Sequence, residues 1–313
     1  MFKRFRYRRI DEETRMKYRQ TFLSADDFIW PVFLVEGKRI KEGLGLLDGV
    51  YRYSADMLFG CLSELIPLGL RSVLLFGVPA GKGIEQAYSS DGIVQKAIPV
   101  IKEKFPNLEI ITDVCLCSYT YDGHCHIGDN DKTCEILAKV ALSHASAGAD
   151  IVAPSDMMDG RVQFIKKSLV LGGFNNVKIL SYAAKYASNF YGPFREAACC
   201  APKSGDRKTY QMDFANSDEA LEEINADIEE GADQIMIKPA LSYLDIIARA
   251  RAHFKIPITA YNVSGEYQML KSAIRDGICN ENIIEETLVS IKRAGAGKIV
   301  SYFTPYILRK LKE

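Results

Sequence analysis

Short runs of apolar and β-branched residues alternate with longer segments of helical periodicity along most of the chain. This alternation predicts a succession of strands and helices, because the two elements repeat their apolar positions with different periods. The predicted strands are residues 30–35, 72–78, 108–115, 150–155, 178–183, 234–238, 257–263 and 298–303. The predicted helices include residues 55–66, 91–104, 131–147, 217–230, 241–253 and 281–294.

The eight predicted strands are almost continuously apolar, which is typical of a parallel sheet whose two faces are both covered. Strand and helix alternate throughout, and this favours an α/β fold of the closed (β/α)8 TIM-barrel type. An open doubly wound sheet is the alternative, but it normally carries a glycine-rich phosphate turn after its first strand, and residues 35–38 are not one. The glycines at 77–83 lack the Gly-Lys-Ser/Thr ending of a P-loop.

Two segments fall outside the repeating pattern. Residues 1–28 interleave basic and aromatic side chains, and we expect an N-terminal arm that makes oligomer contacts, followed by a catalytic barrel at 29–313. The connection after the fifth predicted strand is unusually long and has no clean period at about 188–216. Long loops of this kind are commonly lids or binding loops, so it is predicted to cover the barrel mouth.

Composition narrows the classes of function. The 313 residues carry 40 basic and 40 acidic side chains, so no nucleic-acid partner is indicated. No apolar run is long enough for a membrane span, and a basic N-terminus without a following apolar core is not a signal peptide. Eight cysteines, two of them adjacent, are not a disulfide framework and fit a reducing, cytoplasmic location.

Cysteines concentrate behind the third predicted strand, within residues 113–126. Cys115 and Cys117 are two residues apart, so they share one side if the strand continues, and Cys125 can fold back through the turn at Asp122-Gly123. Three thiolates would leave one zinc coordination position free for water or substrate. The alternative is that these are reduced core cysteines or a disulfide pair.

Lysines end two neighbouring predicted strands. Lys238 closes an apolar run before Pro239, and Lys185 follows the fifth strand. Burial and a second nearby cation lower the pKa of a lysine, which can then attack a ketone and form a Schiff base. Each lysine alone could instead be an ion-paired strand-end residue. Arg195 and Arg207 in the long connection are suited to bind a carboxylate, although either alone is more often a solvated surface arginine.

Five longer motifs follow one another along the chain. They are Asp113-Val-Cys-Leu-Cys117 with Gly123-His-Cys125, Ala153-Pro-Ser-Asp-Met-Met-Asp-Gly-Arg161, Lys185 before Phe190-Tyr-Gly-Pro-Phe-Arg195, Asp206-Arg-Lys-Thr-Tyr-Gln211, and Met236-Ile-Lys-Pro239. Together they resemble the porphobilinogen synthase family, the aminolevulinate dehydratases, and the resemblance runs from about residue 22 to the end of the chain. The resemblance implies a lyase that condenses two 5-aminolevulinate molecules into porphobilinogen with loss of two waters, in tetrapyrrole synthesis.

The resemblance also implies roles for individual residues. Lys238 would hold the first substrate and Lys185 the second, both as Schiff bases, with Asp113 placed for proton transfer. Cys115, Cys117 and Cys125 match the zinc-dependent variant of the family. The residues expected to bind the two substrate carboxylates are Ser264 and Tyr302 for the first, and Arg195, Arg207 and Gln211 for the second.

Three further expectations come from the resemblance. Glu223 falls where some members bind an allosteric magnesium, although a glutamate on an acidic helix is usually solvated. A second zinc site near His124 is left open, because the matching position in the long connection is Thr209 and not a cysteine; Cys199 or Cys200 is an alternative ligand there. In the family the N-terminal arm wraps a neighbouring subunit in a homo-octamer.

Two other functions remain as alternatives. A lysine Schiff-base aldolase acting on another keto substrate would need a phosphate nest after the last strands, and residues 294–297 lie before the eighth strand instead. A non-catalytic, zinc-responsive binding protein would explain the thiols, but it would leave both lysines without a role.

Overall fold

The computed structural model describes residues 2–313 of the chain. Its strands are β1 (Phe28–Val35), β2 (Lys41–Leu44), β3 (Leu47–Tyr53), β4 (Ser72–Val78), β5 (Glu109–Val114), β6 (Ile151–Pro154), β7 (Lys178–Lys185), β8 (Gln234–Lys238), β9 (Ile258–Asn262) and β10 (Lys298–Ser301). Its α-helices are α1 (Glu12–Tyr18), α2 (Ala55–Leu65), α3 (Ile93–Lys104), α4 (Asn130–Ala147), α5 (Arg161–Leu171), α6 (Gly192–Ala197), α7 (Glu219–Glu229), α8 (Leu244–His253), α9 (Ser264–Arg275), α10 (Asn282–Ala294) and α11 (Thr304–Lys310).

A closed parallel barrel forms the centre of the molecule. Strands β1, β4, β5, β6, β7, β8, β9 and β10 follow one another in the sheet, and β10 pairs with β1 through Phe28 and Ile299. The barrel strands are buried along nearly their whole length, as expected when helices cover the outside. The predicted (β/α)8 barrel is therefore confirmed, because an open sheet would leave β1 and β10 unpaired.

A hairpin of β2 and β3 was not predicted. The two strands are antiparallel, and β3 extends the sheet from β1 through the pairs Phe33–Arg52 and Leu34–Tyr53. The hairpin sequence contains several glycines and charged residues, and most of its side chains are exposed or half-buried. Its strands therefore lack the continuous apolar character that identifies the barrel strands.

The helix ends follow local chemistry. Gly148 and Gly295 end α4 and α10 at positive φ values of 104° and 130°, conformations that glycine adopts without steric cost. The helix predicted at 217–230 begins two residues later, since α7 starts at Glu219 with Asp218 before it. Within residues 2–313, no helix combines the length and the apolar character needed to cross a membrane.

A buried ion pair joins the outside of the barrel to its helices. Arg161 at the start of α5 is 2% exposed and donates two hydrogen bonds to the carboxylate of Asp227 on α7, at 2.9 and 3.0 Å. It also donates to the hydroxyl of Ser181 on β7 at 3.0 Å. Since a buried charge is stable only when it is paired, this contact holds α5, α7 and β7 in fixed relation.

The segments predicted to be an arm and a lid differ in their packing. None of residues 2–20 is buried, and α1 is capped by the Asp11 side chain at 2.8 Å. In contrast, the 188–216 segment starts with a short 3-10 helix and α6 and then continues without regular structure over the barrel. Several of its side chains are completely buried, among them Ala197 and Cys200. The oligomer role of the arm and the lid role of 188–216 stay predictions.

Candidate active site and metal centre

Two lysines stand side by side at the ends of adjacent barrel strands. Lys185 on β7 and Lys238 on β8 are register partners, and the amide of Tyr186 donates to the Lys238 carbonyl at 3.0 Å. The side chains are 4% and 5% exposed. The structure therefore brings together the two residues on which the sequence prediction depends, at the carboxyl ends of the strands, where barrel enzymes place their active sites.

Aromatic rings surround the amine of Lys238. Its Nζ lies 4.3 Å from the ring centre of Tyr261 and 4.9 Å from that of Phe194, with Tyr182 and Tyr191 each at 5.2 Å. Burial first, and then the neighbouring cation Lys185, lower the pKa of Lys238 to about 7. A lysine with this pKa is substantially neutral at physiological pH, as a nucleophilic amine must be.

The amine of Lys185 has a more polar environment. It donates to the backbone carbonyl of Ser155 at the end of β6, and its Nζ lies 5.6 Å from the ring centre of Tyr182. Strand alternation would place residues 182 and 185 on opposite faces of β7. The register between β7 and β8 shifts between Ser181 and Ala184, and this irregularity brings both side chains to the same cavity.

Asp113 on β5 shares this cavity. Burial raises the pKa of its carboxyl to about 6, while the nearby cations of Lys185 and Lys238 limit the rise. Its Oδ1 is inaccessible to solvent and has no hydrogen-bond partner among residues 2–313. A carboxyl group with a pKa near neutrality, close to two amines, can exchange protons with groups bound there.

Three buried sulfurs lie at one point beside the lysines. The Sγ atoms of Cys115, Cys117 and Cys125 are all within 4.8 Å of one another. The predicted reason for their proximity is partly wrong, because β5 ends at Val114 and does not continue to Cys117. A tight turn instead carries Cys117 back, so that its amide N–H points to the Cys115 sulfur at 3.5 Å.

The second turn of the cysteine loop follows the prediction. Gly123 has a φ of 77°, and the amide of His124 donates to the Asp122 carboxylate at 3.0 Å. A Cβ at Gly123 would lie 2.5 Å from the carbonyl oxygen of Ala201, so a larger residue would push the loop away from the 188–216 segment. The turn thus sets the position of Cys125 relative to the other two thiols.

The thiol cluster fits a soft metal ion. Mutual hydrogen bonding with Cys117 raises the pKa of Cys115 well above its ordinary value, and the same contact lowers the pKa of Cys117. This contact therefore favours ionisation of Cys117 over that of Cys115. Thiolates are typical ligands of zinc, whereas magnesium prefers oxygen donors. Three clustered sulfurs provide three ligands and leave the rest of the coordination sphere to other groups.

His124 is engaged elsewhere. Its Nδ1 lies 3.1 Å from the hydroxyl of Tyr210, and its Nε2 lies 3.0 Å from the carbonyl oxygen of Ser204. It is not part of the cluster of three sulfurs. These two contacts of His124 bring no second metal-binding side chain to it, so the second zinc site near His124 is not supported by a group of ligands in the described chain.

Ser264 and Tyr302 lie next to the pocket of Lys238. The Tyr302 hydroxyl is 3.2 Å from that of Tyr261, whose ring contacts the lysine. The Ser264 hydroxyl accepts from the amide of Phe194 at 3.0 Å, and the Phe194 ring also faces Lys238. Ser264 and Tyr302, the two residues predicted to bind the first carboxylate, therefore each contact a residue whose ring faces the Lys238 amine.

Arg195, Arg207 and Gln211 come from the 188–216 segment. Arg207 is buried and donates to the carbonyls of Gly123 and Cys200 at 2.8 and 2.7 Å. Buried polar atoms without a partner among residues 2–313 include Nε of both arginines and the two amide atoms of Gln211. Buried polar atoms are normally paired, so these unpaired groups are available to a polar ligand.

Glu223 does not lie with the lysines. It is half-buried on α7 and lines a cavity of about 470 Å³, together with Asp129, Asp159 and Gln211. Burial raises the pKa of its carboxyl. Within the described chain, Glu223 belongs to no group of three potential ligand side chains of the kind that the cysteines form, so its role in binding magnesium stays a prediction.

Sequence reasoning did not assign several residues of the site, among them Tyr182, Tyr261 and Cys200. Tyr182 contacts both lysines, and it was not identified because strand alternation from Lys185 points it away. Cys200 is completely buried and belongs to the same buried cluster as Cys117. The adjacent pair Cys199-Cys200 is visible in the sequence, but the sequence does not indicate which of the two points inward.

Comparison with known proteins identifies the family. The delta-aminolevulinic acid dehydratase family profile matches residues 2–310. The delta-aminolevulinic acid dehydratase of Methanothermus sociabilis is 50% identical over 317 residues, which covers 99% of each chain. That of Bacillus subtilis (strain 168) is 48% identical over 309 residues and covers 96% of this chain and 95% of its own.

A solved structure agrees over the same length. The delta-aminolevulinic acid dehydratase (porphobilinogen synthase) of Toxoplasma gondii ME49, in complex with the reaction product porphobilinogen, superposes with a TM-score of 0.96. It is 38% identical, and the match covers 99% of this chain and 92% of that one. On these grounds the chain belongs to the delta-aminolevulinic acid dehydratase family.

Proposed function

We propose that this protein is a porphobilinogen synthase, a lyase that condenses two 5-aminolevulinate molecules into porphobilinogen with loss of two waters. The observation that carries the proposal is the pair of buried lysines, Lys185 and Lys238, at adjacent strand ends. Two amines allow two keto substrates to be held at once as imines. Membership of the family and the likeness to a structure that contains porphobilinogen support the same reaction.

Lys238 attacks the first substrate. With a pKa of about 7, roughly half of its amine is neutral at that pH and can add to the ketone. The amine forms a C–N bond, the ketone oxygen leaves as water, and an imine joins the substrate to Lys238. Lys185 holds the second substrate in the same way, so each imine accounts for the carbonyl oxygen of one substrate.

Asp113 moves protons between the bound groups. Its carboxyl has a pKa of about 6, so it both gives and accepts protons near neutral pH. The ring of Tyr182 lies 5.6 Å from the Lys185 amine and 5.2 Å from the Lys238 amine and helps to exclude water from both. A dry cavity favours imine formation, because hydrolysis returns the free lysine.

Cys115, Cys117 and Cys125 would hold zinc. Their sulfurs are clustered and buried, and thiolate donors favour zinc over magnesium. Bound zinc with three protein ligands supplies a Lewis acid with a position open to a substrate amine or a hydroxide. Arg207, whose pKa is raised by the neighbouring sulfurs of Cys125 and Cys117 despite burial, offsets the negative charge of the thiolates.

The substrate carboxylates bind on two sides of the cavity. Ser264 and Tyr302, next to Lys238, receive the carboxylate of the first substrate. Arg195, Arg207 and Gln211 receive that of the second, and their unpaired nitrogen atoms provide the donors. The 188–216 segment thus acts as a lid that carries part of the second binding site.

The proposal also covers the assembly of the enzyme, its magnesium site and its location in the cell. Residues 1–28 serve as an arm that contacts a neighbouring subunit in a homo-octamer, and their exposed aromatic side chains supply apolar contact area. Glu223 contributes to an allosteric magnesium site, which needs ligands beyond this side chain. The enzyme works in the cytoplasm, because metal-binding thiols persist only in a reducing compartment.

Borohydride trapping tests the lysine chemistry. Incubation of the full chain with 5-aminolevulinate and borohydride should leave a stable mass adduct on Lys238, since reduction converts the imine to a secondary amine. Lys238→Met should abolish this adduct, while Lys178→Met, at the exposed start of β7, should keep it. A wild-type protein without an adduct on Lys238 would refute the Schiff-base mechanism.

Product and metal analysis separate the proposal from its alternatives. A product with the mass of two substrates less two waters distinguishes the synthase from a Schiff-base aldolase. Purified protein should contain about one zinc per chain, and Cys117→Ser should lose it, whereas Cys134→Ser, a buried cysteine outside the cluster, should retain it. Full zinc and full turnover in Cys117→Ser would rule out the three-thiol site.

A further inference from the structure

A fourth thiol lies beside the three clustered sulfurs. Cys200 comes from the 188–216 segment, is completely buried, and belongs to the same buried cluster as Cys117 and Cys125. It lies outside the group of sulfurs that are all within 4.8 Å of one another. The fourth sulfur is therefore a direct neighbour of the cluster, but it is carried by a different part of the chain.

The end of α6 directs Cys200 inward. Cys199 has a φ of 50°, in the left-handed region, and the amide of Cys200 donates to the carbonyl of Arg195 at 2.9 Å. This reversal leaves Cys199 exposed while it buries Cys200. A residue with a Cβ adopts such a conformation at an energetic cost, so surrounding contacts must hold it in place.

Lys82 provides one of these contacts. Its ammonium donates to the carbonyl of Ser118 at 2.6 Å and to that of Cys199 at 2.8 Å. The Ser118 hydroxyl adds a hydrogen bond to the carbonyl of Ala198 at 3.1 Å. These bonds attach the residues before Cys200 to the loop that carries Cys117.

Arg207 provides a further contact and also carries a positive charge. It bridges the carbonyls of Cys200 and Gly123, which tie the same segment to the loop of Cys125. Its guanidinium is buried, its Nε has no partner in the described chain, and the sulfurs of Cys125, Cys117 and Cys200 all act on it electrostatically. A buried guanidinium at this position would offset the negative charge of metal-bound thiolates.

We propose that Cys200 supplies a fourth thiolate to the metal held by Cys115, Cys117 and Cys125 while the 188–216 segment is closed and substrate is absent. A four-sulfur set is a closed zinc site, so Cys200 must leave before substrate or water can bind there. The released thiolate stays beside Arg207, which compensates its charge. This inference rests on the proposed metal at the three cysteines, and it couples access to that metal to the 188–216 segment.

Substitution of the metal by cobalt measures how many thiolates bind it. In full-length protein loaded with Co²⁺, the intensity of the thiolate-to-metal absorption grows with the number of bound thiolates. Wild-type protein should give the four-sulfur intensity, and Cys200→Ser should fall to about three quarters of it. Cys199→Ser, the adjacent exposed thiol, is the matched control and should equal wild type. Addition of 5-aminolevulinate should lower wild type to the level of Cys200→Ser and leave that variant unchanged.

X-ray absorption of the zinc-loaded wild type gives the sulfur count without any substitution. Four sulfurs without substrate and three with it would support the proposal even if Cys200→Ser failed to fold. Three sulfurs in the substrate-free protein, or equal cobalt spectra for wild type and Cys200→Ser, would overturn the role of Cys200 and leave the three-thiol site intact. Failure of the wild type to bind either zinc or cobalt would overturn both the three-thiol site and the role of Cys200.

Discussion

Lys185 and Lys238 are register partners on adjacent strands, yet their amines have different surroundings. The Lys185 amine donates to the carbonyl of Ser155, whereas the Lys238 amine is enclosed by aromatic rings such as those of Tyr261 and Phe194. Rings and a neighbouring cation stabilise an ammonium ion less than water does, and the pKa of Lys238 falls to about 7. The pair therefore provides one amine that is already reactive at neutral pH.

The pH dependence of Lys238 reactivity follows from this arrangement. A lowered pKa means that the amine is protonated below about pH 7 and neutral above it, so its rate of acylation should rise with a midpoint near pH 7. Lys185→Met removes the neighbouring cation and should move the midpoint upward. Trace acylation followed by peptide mass spectrometry measures the rate at Lys238 separately from other lysines.

The matched control for this experiment is Lys178→Met, since Lys178 lies on the same strand as Lys185 but is exposed. It should leave the Lys238 midpoint unchanged. A wild-type midpoint near the ordinary lysine value of 10.5 would show that burial does not activate this amine.

Asp113→Asn tests proton transfer. The amide keeps the shape of the carboxyl but neither gives nor accepts a proton, so kcat should fall by at least about 10²-fold with little change in KM. Loss of the carboxylate also removes a group that raises the pKa of Lys238, and the acylation midpoint of that lysine should move to lower pH. Asp26→Asn, at an exposed position outside the barrel, should change neither quantity. Unaltered kcat in Asp113→Asn would assign proton transfer to another group.

The barrel was predictable because most of its strands are almost continuously apolar. Strands β4 and β8, for example, have the predicted bounds, since burial on both faces leaves polar residues only at their ends. The hairpin of β2 and β3 was not predictable in this way. Its stability depends on pairing with β1 and on contacts with the 188–216 segment, such as the hydrogen bond from Arg52 to the Ala197 carbonyl at 2.8 Å.

The candidate site was predictable where strand ends determine position. Lys185 and Lys238 come together because parallel strands end at one edge of the barrel. Tyr182 was missed because a register shift, which leaves no mark in the sequence, turns it toward the lysines. Cys200 was not assigned because its direction depends on the left-handed backbone of Cys199, a conformation set by tertiary contacts.

The ion pair of Arg161 and Asp227 should be the main polar contribution to holding α5 and α7 on the barrel. Arg161→Met leaves Asp227 buried without its partner, which should cost about 3–5 kcal/mol in the free energy of unfolding. The double variant Arg161→Met/Asp227→Leu removes both charges and should be less destabilised than the single one. Urea unfolding followed by tryptophan fluorescence compares the three proteins, and the chain has a single tryptophan, Trp30.

A matched control is Arg249→Met, because Arg249 pairs with Asp218 at 2.6 Å at a largely exposed site. Exposed pairs contribute about 0–1 kcal/mol, so this variant should unfold close to wild type. Equal unfolding midpoints for Arg161→Met and Arg249→Met would mean that the buried pair contributes no more than a surface pair.

Lys82 should keep the 188–216 segment closed. Its ammonium joins the Ser118 and Cys199 carbonyls, and hydrogen bonds from a charged donor contribute about 1.5–3 kcal/mol each. Lys82→Met should therefore raise the equilibrium opening of this segment by about 10-fold or more. Trypsin cleavage after Lys203 and Lys208, followed by mass spectrometry under limiting protease, reports the open population.

The control for Lys82 is Lys96→Met, because Lys96 pairs with Asp91 at an exposed position outside the segment. Its cleavage rate should match wild type, and 5-aminolevulinate should slow cleavage in all three proteins if the segment closes over bound substrate. Equal cleavage of Lys82→Met and wild type would mean that the two bonds of Lys82 do not limit opening. In that case Arg207, which ties Cys200 to Gly123, would hold the segment over the thiols together with the hydrogen bonds of Ser118 and Arg52.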